Sequence, residues 1–352
     1  MKAYNFEYGV VASRPDQMYG WPGICKVKGQ EILVAASERK YHICPFGREV
    51  VIRSFDGGRT WELPQEVYNS ELDDRDSNLA ILPDGTIVLT WFTSIAWEYY
   101  IHPEWKPRVE RVTQRMREEL LGTWLLRSFD GGHTWETTPH RVPTGAHAGP
   151  TVLSNGSLIY LGEIKTGDEC EMASFISTDK GISWRKAGIV PFPKNIELNE
   201  NHVMEVSPGR LIALFREETE GHLYQSNSED YGVTWSPVVR LPVWGYPPYL
   251  LLLQSGVLLC LYGHRREPWS IRAVLSYDYG RTWDVDNIIT IYGWRDKPDM
   301  GYPVAVELEP GQILTVFYCS RQDIRYEQRI KGLTPDKGLT PEGLLYARFM
   351  LK

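Results

Sequence analysis

SFDGGRTW, residues 54–61, returns four more times: as SFDGGHTW (128–135), STDKGISW (177–184), SEDYGVTW (228–235) and SYDYGRTW (276–283). The shared pattern, S-x-D-x-G-x-[TS]-W, describes a tight turn between antiparallel strands. The Asp side chain bonds amides just ahead of it, Gly accepts a positive φ, and Thr or Ser returns the chain to β geometry. Trp61, Trp135, Trp184, Trp235 and Trp283 are then expected to pack over the turns. Calcium binding or catalysis would be the functional reading of these aspartates. Residues repeated in every copy suit a fold staple better.

A second repeat precedes each turn, in which an apolar strand, a Gly-centred turn and another apolar strand follow one another. Its six copies are ICKVKGQEILVAA, AILPDGTIVLTWF, TVLSNGSLIYLG, VMEVSPGRLIALF, LLLQSGVLLCLY and VELEPGQILTVFY, centred on Gly29, Gly85, Gly156, Gly209, Gly256 and Gly311. Repeats of about 40–50 residues with four strands each mark a β-propeller, whose radial closure protects the sheet edges. The expectation is an all-β, six-bladed β-propeller with four-stranded blades, in one domain spanning residues 1–352. Length alone, at about 150 residues per domain, would have suggested two. The last unit lacks the Asp turn and the first residues are strand-like without a turn of their own, so the two termini are expected to share the sixth blade. One interval is too long: residues 95–121 of the second blade carry Val109, Val112, Met116 and Leu120 at helical spacing. They predict one amphipathic helical insertion that could serve as a lid or as a contact between copies in a homo-oligomer.

Composition narrows the function. With 38 Lys and Arg against 45 Asp and Glu the net charge is −7, and no basic block is present, so neither nucleic acid nor an anionic membrane is expected as partner. No stretch resembles a signal-peptide core or a membrane span, and the expected location is the cytoplasm, with a secreted or periplasmic one as the alternative if a leader has been removed. The five cysteines are isolated in sequence and expected to be reduced and mostly buried. No metal constellation and no cofactor motif are seen, and Asp73-Asp74-Arg75-Asp76 lacks the spacing of a calcium loop.

Topology then locates a site. If the Gly hairpin joins the first strand of a blade to the second and the Asp turn joins the third to the fourth, both lie on one face of the disc. The opposite face gathers residues just before each innermost strand and just after the second. Those positions hold Trp21, Asp76, His147, Glu200 and Tyr302, then Arg39, Arg216, Arg265 and Arg321, with Arg75 beside Asp76 and His42 beyond Arg39. A ring of Arg, carboxylate, His and Tyr around one axis suits an acidic sugar, although a rim charge on a loop can also be merely solvated.

The repeated Asp turn resembles that of the Asp-box (BNR-repeat) sialidases and their relatives, over nearly the whole chain. The turn identifies scaffold, not activity. More specific likenesses are NENHVMEVSPGRLIALFR, which resembles the sialidase segment opened by a Glu and closed by an Arg, here Glu200 and Arg216. LYGHRR offers Arg265, and GYPVAVELEPGQILTVFY places Tyr302 where that family keeps its catalytic tyrosine. The resemblance implies a Tyr nucleophile relieved of its proton by Glu, an Asp acid/base and three arginines on the substrate carboxylate. Tyr19-Gly20-Trp21-Pro22 stands where the family has its first-blade arginine, and Lys40-Tyr41-His42-Ile43-Cys44 where its acid is expected. Arg39, Arg75 or Arg321 could supply the missing charge, and Asp76, His147 or His42 the proton. Trp21 is expected as a sugar-stacking platform. The readings left open are an exo-glycosidase for a terminal acidic sugar such as sialic acid, a relative retuned to another saccharide as hydrolase or polysaccharide lyase, and a non-catalytic carbohydrate-binding propeller.

Overall fold

The Asp turns recur once in each of blades 1 to 5 because each closes a blade and pins it to its neighbour. In the computed structural model, which describes all residues except 16, 100–102, 146–148, 167–168, 294–298 and 321–342, the chain forms six four-stranded antiparallel sheets. Blade 1 runs from axis to rim through Met18–Lys28, Glu31–Arg39, Arg48–Ser54 and Gln65–Tyr68. Blades 2 to 5 repeat this order from innermost strands Asp73–Ile81, Thr151–Val152, Leu198–Ser207 and Pro248–Leu252. The sixth blade combines Asp299–Glu309, Gln312–Ser320 and Gly343–Leu351 with Ala3–Ala12, which pairs antiparallel with Gly343–Leu351 and closes the ring as expected.

Each Asp turn is saturated with local hydrogen bonds. In the second blade Asp130 accepts from Ser128 Oγ (2.8 Å), the Thr134 amide (2.9 Å) and Thr134 Oγ1 (2.6 Å). The turn glycine serves the seam between blades. Gly132 has φ 84° and a Cβ there would lie 2.6 Å from Leu33 of blade 1. The equivalent glycines of the other four turns press on Leu314, Leu125, Ile159 and Ile212, always in the preceding blade. At the seam between blades 5 and 6 the first strand does this work, with Tyr8 donating to the Ile291 carbonyl (3.1 Å) and meeting the Tyr292 ring edge-on.

The insertion in blade 2 is helical but not one helix. Two 3-10 turns, Ala96–Tyr99 and Pro103–Trp105, precede the short helices Lys106–Val109 and Gln114–Leu120. The break falls where Thr113, in extended geometry, caps the second helix by accepting the Met116 amide at 3.2 Å. Val112, Met116 and Leu120 pack with Trp97, Trp105, Cys44 and Leu72, whereas Val109 is exposed and does not share their face. No helix of the described residues is long and apolar enough to cross a membrane.

Candidate functional site

Three innermost strands are distorted at the same place. Pairing with the second strand skips from Gly20 to Gly23 in blade 1, from Arg75 to Asn78 in blade 2 and from Gly301 to Val304 in blade 6. Inside each gap one non-glycine residue is left-handed: Trp21 at φ 49°, Asp76 at 63° and Tyr302 at 50°. Such a conformation costs about 1–3 kcal/mol and re-aims a side chain that regular pleating would send elsewhere. Blade 4 has a related skip from Leu198 to Asn201, with Glu200 in the gap.

These distortions bring distant residues into contact. The Tyr302 hydroxyl donates to Glu200 Oε1, and Glu200 Oε2 accepts from Arg216 Nη1 at 2.8 Å. Arg216 also holds Glu218, through Nε at 2.9 Å and Nη2 at 3.0 Å, and lies over the Tyr246 ring at 4.4 Å. The Arg265 guanidinium is 5.3 Å from the Tyr302 ring, and its Nη2 reaches the Tyr318 hydroxyl at 3.4 Å. Arg265 can come this close because residue 301 is Gly; a Cβ there would sit 3.0 Å from Nη2. Among the described residues no carboxylate lies within ion-pair distance of Arg265, although Asp299 is near enough for its charge to act on the guanidinium.

Electrostatics follow from this packing. Burial, then the charges of Glu200 and Asp76, push Tyr302 well above the ordinary phenol range, while Arg216 and Arg265 pull it back. Burial alone would lower Arg216, but the charges of Glu200, Tyr302 and Glu218 and the hydrogen bond to Glu200 together outweigh it and keep the guanidinium protonated. On the other side of Tyr318, Asp299 accepts from the Tyr318 hydroxyl (2.9 Å) and pairs with His42 Nδ1 (2.5 Å). Burial works against ionisation of Asp299, yet the charges of His42 and Arg265 and the hydrogen bonds from His42 and Tyr318 together bring it down to about 2.

The remaining expected residues fall in different places. Asp76 is buried, 3.5 Å from Arg75 Nε, and within electrostatic reach of Tyr302. Arg75 lies over the Trp21 ring at 4.3 Å and 3.8 Å from Asp73. Arg39 is fully enclosed; it pairs with Asp73 and bonds Ser37 Oγ (3.2 Å) and the Tyr41 carbonyl (3.0 Å), so its donors are used inside the protein. Trp21 is a correction. It is 2% exposed, with Arg75 over one part of its ring system and Arg39 4.8 Å away, so guanidinium groups cover what was expected to meet a sugar. Its role is to seat those cations and to back Tyr302 and His42, which meet it edge-on at 6.3 and 5.0 Å. His147 and Arg321 lie outside the described residues.

Asp299, Tyr318, Tyr246 and Glu218 were not singled out from sequence. Tyr246 had a signal: Gly245-Tyr246-Pro247 of blade 5 repeats Gly301-Tyr302-Pro303 of blade 6. Among the described residues no group of three or more His, Cys, Asp and Glu side chains is arranged to hold a metal ion.

Comparison with known proteins agrees with the fold. The family model described as a BNR repeat-like domain matches residues 106–315. A sialidase of Clostridium perfringens is 26% identical over 207 residues, 52% of this chain and 50% of that protein, so the chain spans about half the length of this curated relative. Among solved structures, a protein of unknown function from Dyadobacter fermentans superposes with a TM-score of 0.79 at 22% identity, covering 98% of each chain. The NanB sialidase of Streptococcus pneumoniae gives 0.67 at 14% identity, over 89% of this chain and 67% of that one. At such identities the structural likenesses speak for the propeller alone. The family match over more than half of the chain, together with five Asp turns and six closed blades, makes this protein a member of the BNR repeat-like family.

Proposed function

We propose that the protein is a retaining exo-glycosidase that removes a terminal acidic sugar, sialic acid or a relative, from a glycan. The observation that carries this reading is the hydrogen bond from Tyr302 to Glu200 with Arg216 on the far oxygen of the same carboxylate. A phenol buried at high pKa is inert until a base takes its proton, and Glu200 is in contact to do so. Attack by Tyr302 Oη on the anomeric carbon forms one C–O bond and breaks the glycosidic one. The phenol proton passes to Glu200, and a proton from His42 Nε2 goes to the leaving oxygen. Water then attacks the same carbon, giving its proton to His42, and the departing tyrosine recovers its proton from Glu200. Asp299 fixes Nδ1 of His42 and so leaves Nε2 for proton transfer. Arg265, which has no ion pair among the described residues, takes the sugar carboxylate with Arg216 beside it. A neutral nucleophile suits such a substrate, because its carboxylate would repel an anionic one.

A second reading, a relative acting on another acidic saccharide as hydrolase or lyase, is favoured by Trp21 and by the His42–Asp299 pair, which stand where the sialidase resemblance leads one to expect an arginine and an aspartate. Incubation with a fluorogenic sialoside, aryl glycosides of other sugars and uronate oligosaccharides, following fluorescence and absorbance of unsaturated product, separates the readings. Release from the sialoside supports the first. Silence there with turnover elsewhere moves the assignment to the second, and binding without any turnover leaves a carbohydrate-binding propeller.

A further inference from the structure

Beside the axial site, at the junction of blades 4 and 5, a second group of cations is left without counter-charges. Arg266 is exposed and lies over the Trp244 ring at 4.1 Å, while its Nε donates to His264 Nε2 at 3.3 Å. His264 can accept there because its Nδ1 donates to the Pro268 carbonyl at 3.1 Å, which leaves Nε2 with a lone pair. The imidazole is therefore neutral and acts as a bracket for the guanidinium. Arg272 lies near enough to Arg266 and His264 for its charge to be felt by both, and it is held through Nε by Ser270 Oγ at 2.9 Å. Among the described residues neither Arg266 nor Arg272 has an ion pair, and both terminal nitrogens of Arg266 lack a protein partner. The nearby carboxylates do not fill the gap: Glu220 pairs with Arg240 at 3.2 Å, and Glu267 on the same turn forms no ion pair among the described residues.

In a chain with more acids than bases, a cluster of this kind held in place by a neutral histidine and a tryptophan face is prepared for an external anion. Its position says more. Tyr246, which covers Arg216 at 4.4 Å and faces Arg265 at 5.6 Å, has its ring 5.7 Å from Trp244. The two cationic groups are thus linked through two neighbouring aromatic rings, Tyr246 on the axial side and Trp244 under Arg266. We infer that Arg266 and Arg272, with Trp244, form a second anion subsite for a saccharide, so that the glycan bound at the axis carries a sulfate or carboxylate on the sugar next to the terminal one. Assignment of the ligand as a neighbouring sugar rests on the glycosidase reading; anion binding at Arg266 does not.

Calorimetric titration of the intact protein at low salt with galactose, galactose 6-sulfate and galacturonate tests it. Galactose 6-sulfate is expected to bind at least about tenfold more tightly than galactose, and galacturonate reports whether a carboxylate serves as well. Arg266→Ala should remove that preference and Arg266→Lys retain part of it, whereas Tyr302→Phe should leave it intact. Equal binding of galactose and the anionic sugars, or anionic binding indifferent to Arg266→Ala, overturns the inference. Failure of the glycosidase reading would look different: no turnover of any glycoside, with Arg266-dependent binding of the sulfated sugar still present.

Discussion

Asp130, in the turn of blade 2, and Asp299, at the head of blade 6, are both held below the usual carboxylate range, and by opposite means. Asp130 is exposed and owes its low value to hydrogen bonds from Thr134, its neighbour four residues on. Asp299 is largely enclosed, and burial would raise it, but His42, 257 residues away in sequence, supplies a compensating charge. The first kind of carboxylate is made by a motif and recurs in five copies. The second is made only by closing the ring, and it occurs where chemistry is proposed. Repetition therefore separates scaffold from site, and substitutions on the two faces should separate stability from activity.

Tyr302→Phe tests that division most sharply. It is expected to lower turnover of the best glycoside by about three orders of magnitude or more while leaving the melting temperature close to that of the wild type. A variant that melts early instead would place Tyr302 with the scaffold. Asp299→Asn should cost about 10²–10⁴-fold in kcat by releasing His42, and the pH–rate profile should change shape because the imidazole loses its anionic partner. An unaltered profile would remove His42 from the proton relay. On the opposite face Asp130→Ala deletes bonds to a charged acceptor, and about 1–2 kcal/mol of stability should go with them, read as a lower denaturant midpoint with kcat/KM unchanged. Gly132→Ala should be worse than Asp130→Ala, since it both forces a Cβ into Leu33 and strains φ 84°.

A pH-dependent effect concerns Glu49, a buried carboxyl bonded by Ser77, which burial raises from 4.5 to about 8. The folded state keeps this proton where the unfolded state has lost it, so its contribution falls as pH climbs from about 4.5 towards 8. Glu49→Gln should flatten that fall. Thermal melts at pH 5 and pH 8 should show the variant gaining a few degrees on the wild type at the higher pH; an equal difference at both would mean that Glu49 does not titrate with folding.

Much of the molecule is written locally and could be read so. The Asp turn and the Gly hairpin each fit within about a dozen residues, and six copies fix the number of blades, the direction of each strand and the face on which the site lies. Tyr302, Glu200, Arg216 and Arg265 follow from that topology, since each stands at the end of an inner strand. What escaped depends on what covers what. Trp21 looked available because the groups that mask it, Arg75 and Arg39, come from the next blade and from another strand of its own blade. Asp299 and Tyr318 stood in plain sequence beside the expected nucleophile, but only the approach of His42 and Arg265 gives them work. The insertion was helical in period, yet Thr113 made a cap where continuous spacing suggested one helix.

Ring closure by Ala3–Ala12 has a consequence for the order of assembly. This strand has no sheet partner until Gly343–Leu351 arrives, more than 300 residues later, and contacts so far apart form late. Asp299, Tyr302 and Tyr318 all belong to that last blade. During synthesis five blades can form with their turns while the sheet that carries Tyr302 still waits for its edge. An assembly intermediate that lacks this pairing would therefore be largely folded while Asp299, Tyr302 and Tyr318 are still without their complete sheet.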